Sequence, residues 1–420
     1  MIQESASSRS AYPGPSPRRV DRRRLLGASA GVALAGAGLV RPLRAQSLTT
    51  SPAGHNPFQP GSDSVAGGPD GLMRLLAYVP RGLIEMSGES GVHWYYADIA
   101  QQFEALGVPR SAVDGEADDA GWIAALTPLA TASSAFQYAR VEEFIDAIGF
   151  QPLGVDQTLL VGAPPEQLTI FRADFDASRL ESAWEASGYV RESASGGQES
   201  WTIGPDGGFK IDNPIQRVVF AAFNNLVRVE DDLLLCAPTQ SLLEEALAAK
   251  ELGKAASSDP FFVSALSTLP ATTVSAMSVS PSGIGFSAST TPEMEGEFDG
   301  LIERSDAEVG AMPRYEGLVT ALGAGAVATE GDGGAGEAMV RIVTSSPADA
   351  EQVLAVVEFR WTEGTSLRTS QPYTALMAIT GMSVDGNVAK IDFEQLRSPA
   401  VWRDMIFSRD TLPFIPSPGS

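Results

Sequence analysis

A single cysteine in 420 residues means that burial and hydrogen bonding must hold whatever this chain folds into, because no disulfide can form within one copy. Cys236 lies in the apolar run Leu233-Leu234-Leu235-Cys236-Ala237, where a thiol is expected to be buried and inert. The requirement falls on the core. At 44% hydrophobic residues, the stretch of about 350 residues beyond an N-terminal spacer is long enough to build a large one.

Residues 18–46, RRVDRRRLLGASAGVALAGAGLVRPLRAQ, form an export signal of the twin-arginine type. Arg22 and Arg23 are the pair, followed after one residue by Leu25-Leu26. The uncharged stretch Leu25–Val40 is rich in Ala and Gly and falls short of the ~20 apolar residues that span a bilayer. Arg41 and Arg44 follow, and Ala45 offers a small residue before a cut at Ala45/Gln46. The sequence thus predicts an extracytoplasmic protein, secreted or envelope-associated, delivered by the twin-arginine translocase as its export partner. No stable transmembrane segment is expected in the mature chain. With no cysteine at the cut, a lipid anchor is not expected. Proteins on this route are generally exported folded, often after loading a cofactor or partner, so cofactor motifs merit a search.

Charge excludes one class of partner. The chain has 29 basic and 52 acidic residues, and the first 45 hold eight Arg, one Glu and one Asp. The remainder keeps 21 basic and 50 acidic residues, a formal charge of −29. Such a surface repels nucleic acid and anionic lipid, both of which demand clustered Lys and Arg.

Six segments follow from the local patterns: signal peptide 1–45, flexible linker 46–70 dense in Ser, Pro and Gly, a first α+β lobe 71–279, an irregular connection 280–316, a second α+β lobe 317–407, and a loose Pro-rich tail 408–420. Asp98, Asp176, Asp259 and Ser346 stand where helix N-caps are expected, and Ser241 with Glu244 suggests a capping box for a helix over 242–250. Val218–Phe220 has the composition of a strand. Glu230-Asp231-Asp232 and Asp385-Gly386-Asn387 each separate two apolar runs, the pattern of a hairpin turn. The order strand, capped helix, hairpin, helix occurs from Leu168 to Lys250 and again from Ala338 to about Phe407. The expected fold class is α+β, with two lobes of mostly antiparallel sheet built from units that the shared order suggests are duplicated.

The segment Ile148-Gly149-Phe150-Gln151-Pro152-Leu153-Gly154-Val155-Asp156-Gln157, then Gly162-Ala163-Pro164-Pro165, Phe171-Arg172-Ala173-Asp174-Phe175-Asp176 and Gly188-Tyr189, resembles an uncharacterised family of exported bacterial α+β proteins. Leu75-Leu76-Ala77-Tyr78-Val79-Pro80 and Tyr95-Tyr96-Ala97-Asp98 are similar to that group's opening, so the resemblance covers roughly 72–250. It implies location and fold, and brings no catalytic residues.

Residue patterns that carry chemistry are few. Of two histidines, His55 falls in the linker and His93 lies in the aromatic run Val92–Tyr96; no Gly-x-Ser-x-Gly elbow accompanies it, since Gly88-Glu89-Ser90-Gly91 has the wrong spacing. Asp114–Asp119 begins like a calcium loop but places Asp119 and Ala125 where Gly and Glu are needed. Gly331–Gly336 lacks the Lys-Ser/Thr of a phosphate loop. Trp94, Tyr95, Tyr96 and Trp201 are candidates for stacking on sugars, although alternation along a half-buried strand explains the first three. No catalytic, cofactor-binding or metal-ligating residue is assigned, and no cofactor is expected. The export residues Arg22, Arg23 and Ala45 are the ones the sequence identifies. The expected function is a non-enzymatic binding or envelope-interaction module for an unknown envelope or small-molecule ligand. The alternative is an Asp/Glu-dependent hydrolase of glycosidase type, with or without calcium, which requires converging carboxylates in a cleft, one with a raised pKa. A lesser alternative is a subunit that leaves the cell together with a cofactor-bearing partner.

Overall fold

The computed structural model describes residues 67–87, 92–107, 139, 141–194, 197–280, 292–327, 336–396, 401–407 and 410–418, all within one compact unit, Pro60–Ser420. The export residues, most of the linker, the acidic 114–119 turn, the 88–91 tetrapeptide and most of the 331–336 glycine run lie outside the described residues.

Among the described residues, two antiparallel runs of strands meet in one sheet of twelve. In chain order the strands are β1 (Val92–Asp98), β2 (Gln157–Ala163), β3 (Glu166–Arg172), β4 (Val190–Ser193), β5 (Glu199–Thr202), β6 (Asn225–Val229), β7 (Leu233–Ala237), β8 (Thr273–Val279), β9 (Gly317–Gly323), β10 (Gly336–Val343), β11 (Met377–Asp385) and β12 (Val388–Gln395). Across the sheet they run β11-β12-β10-β9-β8-β1-β2-β3-β7-β6-β5-β4. The fold is α+β and antiparallel, as expected. The two anticipated lobes share a single sheet, because β8, inside the first, pairs with β9 of the second, Met277 opposite Thr320. The sheet's centre falls within the first lobe, where β1 and β8 pair with Tyr95 opposite Met277.

Outward from that centre both halves have the same order: β1-β2-β3-β7-β6 on one side and β8-β9-β10-β12-β11 on the other. The strand-to-helix junctions match as well. Asp176 caps α5 (Ala177–Ala186) through Arg179 N–H, and Ser346 caps α10 (Pro347–Glu363) through Asp349 N–H. The first half differs by inserting the β4–β5 hairpin beyond β6. Both expected hairpins form, β6–β7 and β11–β12. In the second, Gly386 takes φ +58°, and Asn387 fastens the turn to the end of β10 through Thr344.

Helices cover both faces of the sheet. On one face α1 (Gly68–Leu76), α2 (Arg81–Ser87), α7 (Gln240–Glu251) and α8 (Pro260–Leu266) close a core containing Trp94, Tyr96, Leu235 and Phe262. On the other, α3 (Ile99–Ala105), α4 (Glu142–Ile148), α5 and α6 (Pro214–Val219) enclose Phe171, Trp184 and Trp201, while α10, α11 (Tyr373–Leu376) and α12 (Val401–Phe407) enclose Trp361, Phe393 and Trp402. Cys236 is buried in the first of these.

Four expectations are corrected. The 280–316 connection contains α9 (Pro292–Glu308), whose Phe298, Leu301, Ile302 and Ser305 are buried at i, i+3, i+4 and i+7. The tail is anchored instead of loose: Leu412–Phe414 form a buried 3-10 turn, and Tyr315 donates to the Phe414 carbonyl at 2.6 Å. Val218 belongs to α6, which Asn213 caps and Pro214 opens. Thr239 caps α7 where Ser241 was expected, because its hydroxyl is the one that reaches Leu242 N–H.

Candidate functional site

In the first half of the sheet, three places among the described residues stand out for the polar or exposed side chains they gather. The first is a chain of hydrogen bonds along one end of the sheet. Asp98, at the last position of β1, is buried and accepts from the N–H of Gly68 and Gln101, the Tyr96 hydroxyl and the Gln157 amide at 3.0–3.2 Å. Gln157 in turn accepts from Arg172, which pairs with Asp232 at 2.9 Å. Arg74 of α1 bridges Asp232 and Glu230, and Lys250 of α7 reaches Glu230 at 2.5 Å and the Tyr78 hydroxyl at 2.8 Å. The β6–β7 turn, with Glu230 at φ +55°, is thereby clamped under α1 and α7.

Burial raises the Asp98 carboxyl, and its four donors only partly offset that. Partial burial also pushes Glu230 up, but hydrogen bonds from Lys250, Tyr78 and Arg74 outweigh it and bring the carboxyl down to about 2. A carboxylate depressed on folding contributes stability above its unfolded value of 4.5, which disappears as pH falls toward 2. The melting temperature of Glu230→Gln should therefore lie below that of the native chain at neutral pH and converge on it toward pH 2. A gap that is constant across the titration would contradict the assignment.

The second place is a cleft of about 150 Å³ between α5 and the β5–β6 strands, lined by Leu180, Glu181, Trp184, Glu199, Trp201 and Arg228. Arg191 bridges its two glutamates, at 2.7 Å to Glu181 and 3.2 Å to Glu199, and lies 5.2 Å over the Trp201 ring. The carboxylate raised by burial, Asp98, is enclosed on the opposite face of the sheet, since it shares the face of Trp94 and Tyr96 while Trp201 packs in the other core. Among the described residues the raised carboxylate and the two cleft glutamates therefore lie apart.

The third place is a surface built on buried amides. Gln216 and Asn224 are buried and joined at 2.7 Å; Asn224 donates to the carbonyls of Gly208 (2.6 Å) and Pro205 (3.3 Å), and Gln216 accepts from Lys210 N–H. Asp206 accepts from Asn225 and from Gln240 N–H, and Gly207 N–H reaches the Pro238 carbonyl. Loop 203–213 is thus held at both ends and in its middle. It carries Phe209 and Ile211 outward, 53% and 67% exposed, beside Phe220 at 60%. The Phe209 and Phe220 rings meet edge-on, centroids 5.6 Å apart. Phe220 has φ +54° and ψ −133°, a conformation that a bulky residue rarely adopts.

The sequence singled out none of these residues, because the amide network joins positions that no local pattern connects. The residues it considered for sugar stacking are all buried: Trp94, Tyr95, Tyr96 and Trp201 are at most 6% exposed. Lying at the sheet centre, β1 is covered on both faces, so its aromatics serve two cores. Burial holds the His93 imidazole down at about 4, and its Nδ1 has no hydrogen-bond partner among the described residues. Burial likewise pushes the Cys236 thiol well up. Among the described residues no three His, Cys, Asp or Glu side chains are placed to hold a metal, and no helix is long and apolar enough to cross a membrane.

No protein-family model matches this sequence, and no curated protein matches it. The solved structure described as "Structure of crystal form I of TP0453" is similar at a TM-score of 0.28 and 8% identity, over 78% of this chain and 96% of that one. A likeness so slight carries no argument.

Proposed function

We propose that this chain is exported through the twin-arginine route and acts outside the cytoplasm as a non-enzymatic binding or envelope-interaction module, with Phe209, Ile211 and Phe220 as its contact surface. The export part rests on Arg22, Arg23 and the Ala45 cut. The binding part rests on one observation: a fully tethered loop and a strained backbone hold two touching aromatic rings in solvent. Singly exposed apolar residues are ordinary, but each large side chain left out of the core forgoes roughly 1.5–3 kcal/mol of burial. Holding Phe220 at positive φ costs a further 1–3 kcal/mol or so. Strain retained to display an apolar surface is what a binding site needs and a fold alone does not.

Stability and binding should consequently separate at Phe220. Replacing it with Gly relieves the backbone, and little packing is lost from an exposed ring, so Phe220→Gly should stabilise the protein by about 1 kcal/mol. Combined with Phe209→Ser it should abolish co-sedimentation of the exported chain with envelope fractions while the fold persists. Undiminished co-sedimentation of a folded double variant would remove this surface as the contact site.

A further inference from the structure

The repeated strand order has an unequal ending. In the first half the outer edge of β6 is covered by β5, antiparallel, with Trp201 opposite Leu226. The equivalent strand in the second half is β11, and no described strand borders its outer side. The two free edges also differ in kind. Strand β4 is four residues long and carries Arg191 and Glu192, charges that discourage a further strand. Strand β11 has nine residues, Met-Ala-Ile-Thr-Gly-Met-Ser-Val-Asp, without a charge or a proline before Asp385. Only a bulge between Ile379 and Gly381 interrupts it. Every residue after Met377 is at least partly exposed, while Ile379, Met382 and Val384 pack against the core beneath α10.

We propose that β11 is a strand-addition edge whose occupant is β11 of a second copy of this chain. A twofold axis makes the two strands antiparallel, the orientation that β5 has against β6. Pairing centred on Met382 sets Gly381 opposite Ser383 of the other copy. It also continues the apolar row of Met382 and Val384 across the junction. Asp385, the single charge on the strand, meets no like charge there, and Lys390 stands 4.0 Å from it within its own copy. The overall negative charge opposes association only through distant groups, which salt screens beyond about 8 Å at physiological ionic strength. The dimer should therefore tighten as salt is raised, unlike one held by ion pairs.

The experiment is sedimentation velocity of the purified exported chain across the micromolar range, with amide hydrogen exchange on the same samples. The expected result is a monomer–dimer equilibrium in which amides of 377–385 gain protection with concentration. Thr380→Lys with Ser383→Lys, both at exposed positions, should raise the dimer Kd tenfold or more, because four lysines then crowd the shared edge and repel one another, with unchanged circular dichroism. A chain monomeric throughout overturns the proposal. So does a dimer whose β11 amides exchange as in the monomer, or a foreign strand bound at β11 with the chain itself monomeric. None of these results bears on the Phe209–Phe220 surface, which co-sedimentation tests separately.

Discussion

Arg360→Met should cost 3–5 kcal/mol or so, the loss typical of breaking a buried charge network from one side. Against a total stability of about 5–15 kcal/mol this is a large share. Arg360, in the middle of α10, is fully buried. Its guanidinium donates to the Ser305 hydroxyl at 2.9 Å, the Ile415 carbonyl at 2.5 Å, the Ser417 hydroxyl at 3.0 Å and Asp306 at 3.4 Å. Ser417 also donates to Asp306 and accepts from Met312 N–H, so one side chain ties α9, α10 and the C-terminal strap together. Burial lowers the Arg360 pKa, and the nearby Asp306 carboxylate partly restores it. A methionine fills much of the volume but removes the guanidinium from the Ile415 carbonyl, the Ser305 hydroxyl and the Asp306 carboxylate, while Ser417 keeps its bond from Met312 N–H. Beyond the fall in denaturation midpoint, the effect should be local. Amides of 410–418 should lose exchange protection in the variant while those of β1 and β2 keep theirs. The strap has a second anchor, because Asp410 accepts from Ser366, Tyr373 and Leu367 N–H. Uniform loss of protection would show that the strap does not open separately.

Asp98→Ala should be nearly as costly, about 4 kcal/mol, the sum of a lost helix cap and several stranded buried donors. Gly68 N–H, Gln101 N–H, the Tyr96 hydroxyl and the Gln157 amide all depend on this carboxylate. Asp98→Asn keeps the shape and one acceptor and should lose less, and its pH dependence identifies the cause. Because the folded carboxyl is raised above its ordinary 3.8, the native protein holds the proton more tightly than the unfolded chain. The contribution of Asp98 is greatest below that value and falls as pH rises through the raised one. The deficit of the Asn variant, measured by denaturant unfolding, should therefore shrink with rising pH, opposite in sign to the Glu230→Gln effect. A deficit that grows with pH would mean that the hydrogen bonds outweigh the burial.

What the sequence made legible was local. The caps at Asp98, Asp176, Asp259 and Ser346 each need only an oxygen two or three residues ahead of an N–H, and all four form. The hairpin turns at 230–232 and 385–387 likewise depend on their own residues, and so did the shared order of the two halves. Contacts between distant positions were not legible. Nothing near Arg360 announces Ser417, and the stripe of α9 is obscured by Gly296, Gly300 and a serine at its last buried position. The β-branched Val218 and Val219 suggested a strand, although Asn213-Pro214 just before them is a helix start. The Phe209 surface was the least legible feature, because its support comes from Gln216, Asn224 and Asn225 and its meaning from exposure, which only the folded chain defines.

The most direct test of that surface is amide hydrogen exchange of the exported chain with and without detergent-solubilised envelope extract. Added protection concentrated in 203–224, and absent in the Phe209→Ser/Phe220→Gly chain, is the predicted result. Protection arising at the α5–β5 cleft instead, with 203–224 unchanged, would contradict the account and return the cleft glutamates to consideration.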